Sequence, residues 1–386
     1  MTNTGVCKTA VLVLWLTMLS ACSETPPRQF ASDDVPPLLS QWQLFNVDGR
    51  SQTLTLDPAV QAYDLATPLF SDYALKLRTV WLPAGTQARP TATGSVDFPV
   101  GTVISKTFYY PRMPDTAPDQ VAWTQDLQFG FDGQALDLSR VHLIETRLLV
   151  HQSDGWQALP YVWNAEQTDA RLQIAGDLQR LTLHRDGTQQ PFAYVVPNRN
   201  ECAACHRLDQ NTEAISPIGP SIRNLNRLIS FDNDGEHNQL EIWQARGLLS
   251  ALPLSEQRAA AALWQPDRPL TPEHDLDQRA RTYLDVNCAH CHQAGGSGDT
   301  SGLFLNADEA SATRLGVCKP PVAAGRGTGG HRFSIVPGAP EQSILHWRIE
   351  STEVGVLMPE IGRSLIHEEG LALVGAWIAQ LSGDCN

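Results

Sequence analysis

The first half of the chain follows the two-residue period of β-strands. Residues 96–110 are rich in β-branched and aromatic side chains and are bounded by turn formers. Alternating segments joined by turns that contain Asp-Gly predict hairpins. Two pairs of segments have this form, residues 141–151 with 156–163 and residues 171–184 with 191–196. Several short strands with such turns predict a β-sandwich-like domain over residues 40–198.

The second half changes to the spacing of amphipathic helices. Between residues 275 and 287, Leu276, Ala280, Tyr283 and Leu284 lie on one face of a helix. Helical patterns also cover residues 239–249, 255–263, 341–349 and 368–381. The chain is therefore predicted to have an α+β fold, with the β-sandwich-like domain followed by a mostly α-helical region.

Two C-x-x-C-H motifs stand in that second region. They consist of Cys202, Cys205 and His206, and of Cys288, Cys291 and His292. This motif is the attachment signature of a c-type haem. Cysteines three residues apart lie about one helical turn apart, so both can form thioethers at one porphyrin edge while the histidine binds the iron. We predict two covalently bound haem c groups, with His206 and His292 as proximal iron ligands. One copy alone would also suit a zinc half-site or a redox cysteine pair.

The distal ligand is predictable for the second haem only. Met358 lies between the second motif and the last predicted helix, and a thioether is a ligand that raises the haem potential. The alternative for Met358 is a buried apolar side chain. For the first haem, Met113 is distant in sequence, and His237 or His274 could each close a bis-histidine site. The sixth position could also hold water or stay open, and His290 is expected to face solvent.

The N-terminus has the form of a targeting segment. Lys8 precedes a short apolar run that is too short for a relaxed transmembrane helix, and Leu19-Ser20-Ala21-Cys22 follows. This resembles a bacterial lipobox, which would make Cys22 a lipidated first residue after a signal peptide at residues 1–21. The alternative is an ordinary cleaved signal peptide. Ser23 resembles the sorting signal for the outer membrane, facing the periplasm, and residues 22–39 are predicted to be a stiff, polar tether.

Cys7 would leave with the signal peptide, and two of the eight cysteines then remain without a role, Cys318 and Cys385. In an oxidising compartment such a pair is expected to form a disulfide. The alternative is two buried free thiols.

Composition limits the choice of partners. The formal net charge is -14, which argues against nucleic acid because phosphate binding requires clustered cations. It is compatible with a basic redox partner protein. The lipid at Cys22 would make the membrane a second partner.

Two resemblances follow from these motifs. The order of helix, haem motif, loop, methionine and helix over residues 275–383 resembles class I cytochrome c. The mature chain as a whole resembles a largely uncharacterised family of bacterial di-haem c-type cytochromes. The segments that carry this second resemblance are the two motifs and residues 67–74, 144–147, 217–220, 238–240, 337–338, 343–345 and 358–359. It implies that the β-rich domain and the haem regions form one unit.

Together these patterns predict a di-haem c-type cytochrome that transfers electrons at the periplasmic side of a bacterial membrane. Its predicted parts after the tether are a β-rich domain at 40–198, a first haem region at 199–270 and a class I-like domain at 271–386. If the first iron has an open position, the chain is instead a di-haem peroxidase or another redox enzyme for small ligands. A third reading makes the β-sandwich a binding module coupled to electron transfer. The sequence leaves open whether the chain is an enzyme, although an electron carrier is favoured.

Overall fold

The computed structural model describes Met1, Phe30 and residues 34–230, 235–252, 275–322 and 324–385. Strands make up 29% of the described residues and helices 20%. The prediction of a mostly α-helical region after residue 198 is therefore wrong. The described helices there are short, because turns and extended segments rich in Gly and Pro separate them. Lys8, Cys22, His274 and the helical pattern at 255–263 lie outside the described residues.

A six-stranded antiparallel sheet forms the centre of the fold, in the order β12-β11-β10-β7-β4-β3. Its strands are β3 (Gln61–Tyr63), β4 (Leu75–Trp81), β7 (Val103–Pro111), β10 (Val141–Gln152), β11 (Gly155–Trp163) and β12 (Ala170–Leu172). The predicted hairpin at residues 141–163 is confirmed as β10 and β11, which pair from Gln152 and Gly155 outward.

Two three-stranded sheets and two short ribbons complete the β structure. One sheet has the order β1-β2-β9, with β1 (Phe45–Asp48), β2 (Thr53–Leu56) and β9 (Ala135–Asp137). The other has the order β14-β13-β8, with β8 (Gln120–Ala122), β13 (Asp177–Arg185) and β14 (Thr188–Val196). The ribbons pair β5 (Arg89–Pro90) with β6 (Val96–Asp97), and β15 (Leu228–Ile229) with β16 (His237–Asn238). The second predicted hairpin is thus confirmed as β13 and β14, joined by Asp186 and Gly187.

The two faces of the central sheet differ in composition. On one face Leu77, Tyr109 and Leu148 pack with Leu54 and Leu136 of the β1-β2-β9 sheet in the largest apolar core. The other face is apolar only towards its ends. Phe108 and Tyr110 pack against the β8-β13-β14 sheet at one end, and Val80 and Ile104 pack against short helices at the other. Charged side chains lie between these two apolar clusters.

Among the residues that the structure describes, six α-helices follow the β-rich region. They are α1 (Arg199–His206), α2 (Ile222–Leu225), α3 (Gln239–Ala245), α4 (Leu276–Leu284), α5 (Ile344–Glu350) and α6 (Glu368–Gln380). The helices predicted near residues 275–287, 341–349 and 368–381 are present as α4, α5 and α6. No helix within the described ranges is long and apolar enough to cross a membrane.

The predicted disulfide between Cys318 and Cys385 is confirmed. It links the end of the chain to a loop that packs beside α6. The residues before position 40 also contact the β-rich region. Phe30 packs edge-on against Trp42, and the carbonyl oxygen of Pro36 accepts a hydrogen bond from the Tyr161 hydroxyl.

The segment at residues 67–74 joins the β-rich region to the C-terminal region. Asp72 is buried, and its Oδ1 accepts hydrogen bonds of 2.7 Å from the backbone amides of both Ser364 and Leu365. The Tyr73 hydroxyl donates to Glu369 and accepts from the Glu368 amide. These bonds fix residues 364–369 against β4.

Replacing Asp72 by Ala should therefore destabilise the protein. Two buried amides would lose their acceptor, which costs on the order of 2–5 kcal/mol in the free energy of unfolding. Asp72→Asn should cost less, because Asn keeps one acceptor oxygen and tolerates the left-handed backbone at this position (φ 50°). Denaturant unfolding monitored by circular dichroism measures both changes.

Asp132→Ala is the matched control. The Asp132 carboxylate also accepts from two backbone amides, those of Gln134 and Ala135, but it is exposed. Its loss should change the free energy of unfolding by less than about 1 kcal/mol. Equal effects at the two positions would contradict the role assigned to Asp72.

Candidate cofactor-binding site

The first motif lies within helix α1, which begins immediately before it. The Asn198 side chain accepts hydrogen bonds from the backbone amides of Asn200 and Glu201. The Glu201 carboxylate in turn accepts one from the Asn198 backbone amide at 2.8 Å. This is a capping box. It starts the helix without a preceding amphipathic segment, so Cys202 and Cys205 project from adjacent turns.

His206 is held as a neutral imidazole. Its Nδ1 lies 2.8 Å from the carbonyl oxygen of Ser216 and donates to it. Burial lowers the pKa of His206 to about 4, which keeps the ring uncharged near neutral pH. A neutral ring that donates from Nδ1 leaves its Nε2 lone pair for a metal.

The second motif continues directly from helix α4. After Leu284 the chain passes into a π-helical turn, Asp285–Ala289. Helix α4 packs against helix α6, where a Cβ on Gly370 would lie 2.3 Å from the Tyr283 ring. The Trp377 indole also donates to Asp277 at 2.7 Å. Glycine at position 370 therefore permits the close approach of the two helices that flank the site.

His292 is half-buried, like His206, and is positioned by its neighbours. Its Nδ1 lies 3.3 Å from the Ser301 hydroxyl oxygen, and the ring also hydrogen-bonds the Leu303 backbone. Burial lowers the pKa of His292. A Cβ on Gly298 would lie 2.8 Å from Nδ1, so the glycine is needed to seat the ring.

Two adjoining cavities lie beside the two motifs. The first, beside His206, holds about 940 Å³ of empty space with its open mouth included, and the second, beside His292, about 1440 Å³ on the same basis. The first is lined by residues of both motifs and by Phe70, Lys106, Phe108, Arg147, Tyr283, Arg363 and His367. The second is lined mainly by apolar residues, including Leu303, Leu305, Ile344, Leu345 and Ile349.

The cavities share a wall. Cys205, Asn287, Cys288, His290 and Met358 line both. Cys205 at this wall and Cys291 of the second motif line the second cavity together, and the Cys291 thiol lies close enough to raise the pKa of Cys205. The fold thus places the two motifs, which are far apart in sequence, in direct contact.

Met358 is brought to the site as predicted for a distal ligand. Its backbone is fixed on both sides, because its amide donates to the Arg348 carbonyl and its own carbonyl accepts from Arg363 Nε, each at 3.0 Å. Its side chain lines both cavities. Whether it binds an iron there stays a prediction.

His237 and Met113, the other described candidates for the distal ligand of the first haem, do not lie at the site. His237 is exposed in the β15–β16 ribbon and lines neither cavity, and Met113 lines neither cavity. Two histidines that sequence reasoning had not assigned do line the first cavity, His290 and His367. His290 is 9% exposed and its Nδ1 has no partner among the described residues. The expectation that it faces solvent is wrong.

His367 is held by several groups. Its ring stacks on Phe70 at 4.2 Å between ring centroids. Its Nδ1 lies 3.1 Å from the Tyr283 hydroxyl, and its Nε2 lies 3.6 Å from Glu369. Burial, with the nearby charge of Lys76, lowers the pKa of His367 to about 3. Both ring nitrogens therefore face groups other than the cavity.

The prediction of a metal-binding group is wrong for the part of the chain that the structure describes. Within the described ranges, no group of three or more His, Cys, Asp or Glu residues could hold a metal ion. A haem iron does not need such a group, because the porphyrin holds it and the protein supplies one or two axial ligands.

The residues present do fit a covalently attached porphyrin. Each motif offers two cysteines that are free of any disulfide, and each offers a half-buried imidazole of lowered pKa beside a cavity. The same chain closes a disulfide between Cys318 and Cys385, which separates these four thiols from the structural pair.

Sequence reasoning missed the part of the β-rich region that reaches this site. Asn287 lies inside the second motif's turn, and its Oδ1 accepts from the Phe70 amide at 2.9 Å. Its Nδ2 donates to the Tyr283 carbonyl. The only signal in the sequence for this contact is the polar side chain of Asn287 directly before Cys288. Nothing in the sequence indicates Phe70 as its partner.

No protein-family model, no curated protein and no solved structure matches the chain.

Proposed function

We propose that the chain is a di-haem c-type cytochrome whose main activity is electron transfer. Cys202 and Cys205 would hold the first haem, and Cys288 and Cys291 the second. His206 and His292 would be the proximal ligands, and Met358 the distal ligand of the second iron. When bound, haem supplies one-electron chemistry that the side chains of this site lack.

The contact between Cys205 and Cys291 is the observation that carries this proposal. Both C-x-x-C-H motifs line the same two cavities, each with a half-buried histidine whose Nδ1 already has a partner. Two isolated redox or structural cysteine pairs would not require a histidine and a cavity beside each pair. An electron-transfer protein does benefit from two cofactor sites in contact.

The chain's own residues would insulate and position the cofactors. Leu303, Leu305 and Ile344 give the second cavity an apolar lining, and an apolar surround is one of the factors that set a haem potential. Tyr283 and Asn287 tie the second motif to helix α6 and to residue 70. The β-rich region closes the first cavity from the opposite side.

Removal of each motif should remove one haem. In the exported, purified protein, intact mass and a pyridine haemochrome assay should give two haems for the wild type. Cys202→Ser/Cys205→Ser and Cys288→Ser/Cys291→Ser should each retain one, because the thioethers form at these four sulfurs only.

The matched control is Cys318→Ser/Cys385→Ser, which also removes two cysteines but only breaks the disulfide. It should keep both haems and lose stability of about 2–5 kcal/mol. A wild-type polypeptide mass without haem, with the four motif cysteines free or disulfide-linked, would contradict the proposal.

A second candidate function follows from the first cavity. The Met358 thioether can serve only one iron, and the ring nitrogens of His367 face Tyr283 and Glu369. An open position on the first iron would suit a peroxidase or another enzyme for small ligands.

Carbon monoxide separates these two functions. For the electron carrier, with both sixth positions filled by strong ligands, we expect an unchanged ferrous spectrum under carbon monoxide. A shift of half the haem absorbance would contradict this and favour the small-ligand enzyme. Met358→Ala is the control, because it should create a carbon monoxide site on the second iron in either case.

The setting of the protein is part of the proposal. Export, lipid attachment at Cys22 and an outer-membrane position on the periplasmic side fit covalent haem attachment and a disulfide, both of which form in oxidising compartments. The partner would be a redox protein, and the net charge of -14 suits one with a basic surface.

A further inference from the structure

Three cations form a row across the centre of the six-stranded sheet. Arg78 of β4 pairs directly with Lys106 of β7, and Lys106 pairs directly with Arg147 of β10. Adjacent strands lie about 4.8 Å apart, and like charges at directly opposed positions destabilise a sheet. The folded protein must therefore offset the charge of this row.

Two members of the row have carboxylate partners. Arg78 Nη1 lies 3.2 Å from Asp64 Oδ1. Arg147 donates two hydrogen bonds to Glu145, at 2.8 and 2.5 Å. Both pairs are largely buried. Each acid also has a further partner, since Asp64 pairs with Arg227 at 2.6 Å and Glu145 accepts from the Tyr194 hydroxyl at 2.7 Å.

Lys106 lacks such a partner. Among the described residues its ammonium group has no hydrogen-bond acceptor and no ion-pair partner. Its Nζ lies over the Phe108 ring, 5.9 Å from the ring centroid. Lys76 lies on the same face and over the same ring, at 5.5 Å, but it donates to the Ala74 carbonyl. Lys106 is thus the cation of the row without a directly bonded carboxylate among the described residues, and Glu145, which is bonded to Arg147, attracts it only from a distance.

The unpaired group faces the first cavity. Lys106 and Arg147 line it together with Cys202, Cys205 and His206, whereas Lys76 and Arg78 do not. Burial, with the charges of Arg78 and Arg147, lowers the pKa of Lys106 to about 7. The protein alone therefore disfavours a charge at Lys106, and an anion in the cavity would restore it.

We infer that Lys106 and Arg147 form the floor of the first haem site and that Lys106 binds a propionate carboxylate of that haem. The inference rests on the proposed function, because it takes haem to be the occupant of the cavity. The carboxylate would accept from the Lys106 ammonium, and Arg147, held by Glu145, would add positive potential beside it. The central sheet then contributes directly to the cofactor site, which gives the β-rich domain a role.

The test compares Lys106→Gln with Lys76→Gln in the purified holoprotein. Haem is labelled with ¹³C at its propionate carboxyls, and redox-induced infrared difference spectra are recorded. We expect the label-sensitive carboxylate bands of one haem to shift in Lys106→Gln and to match the wild type in Lys76→Gln. The midpoint potential of one haem should also fall in Lys106→Gln, because a lost cation stabilises the ferric state.

Two results would overturn the inference. Unchanged label-sensitive bands in Lys106→Gln would mean that Lys106 does not touch a propionate. A new high-spin signal or new carbon monoxide binding in Lys106→Gln would mean that the amine is an axial ligand. Failure of the proposed function is distinguishable, since the wild-type protein would then carry no covalent haem by mass and yield no label-sensitive bands.

Discussion

The different polarity of the two faces of the six-stranded sheet determines how the rest of the chain packs. One face buries Leu77, Tyr109 and Leu148 under a second sheet. The other carries Arg78, Lys106 and Arg147 at its centre, and a row of cations cannot be covered by an apolar layer without a large desolvation cost. The C-terminal region therefore meets the sheet at its apolar ends and leaves a cavity over the charged centre.

That arrangement accounts for the two motifs lying together. The segment at residues 67–74 fixes the C-terminal region through Asp72 and Phe70, and the capping box at Asn198 starts helix α1 beside the same cavity. The thiols of Cys205 and Cys291 then meet at a shared wall. In the proposed function this wall separates two haems, so the β-rich region and both motifs make one redox unit.

The sequence predicted local structure better than long-range contacts. The Asp186-Gly187 hairpin, helices α4 and α6 and the disulfide at Cys318 follow from short-range patterns and a cysteine count, and all are present. The prediction of a mostly helical second half is wrong because it extended the pattern of a few amphipathic segments to the long irregular connections between them. Three features depend on strand register or on packing between distant segments. They are the contact of Asn287 with residue 70, the burial of His290 and the row of cations. No periodicity in the sequence reports these.

The closeness of the two motifs is tested most directly by electron paramagnetic resonance. The spectrum of the fully oxidised protein is compared with the sum of the spectra of the two single-haem variants. With iron centres on either side of one wall, we predict that the wild-type spectrum departs from that sum through broadened lines and faster relaxation. A wild-type spectrum equal to the sum would show two distant, independent centres and would contradict the account.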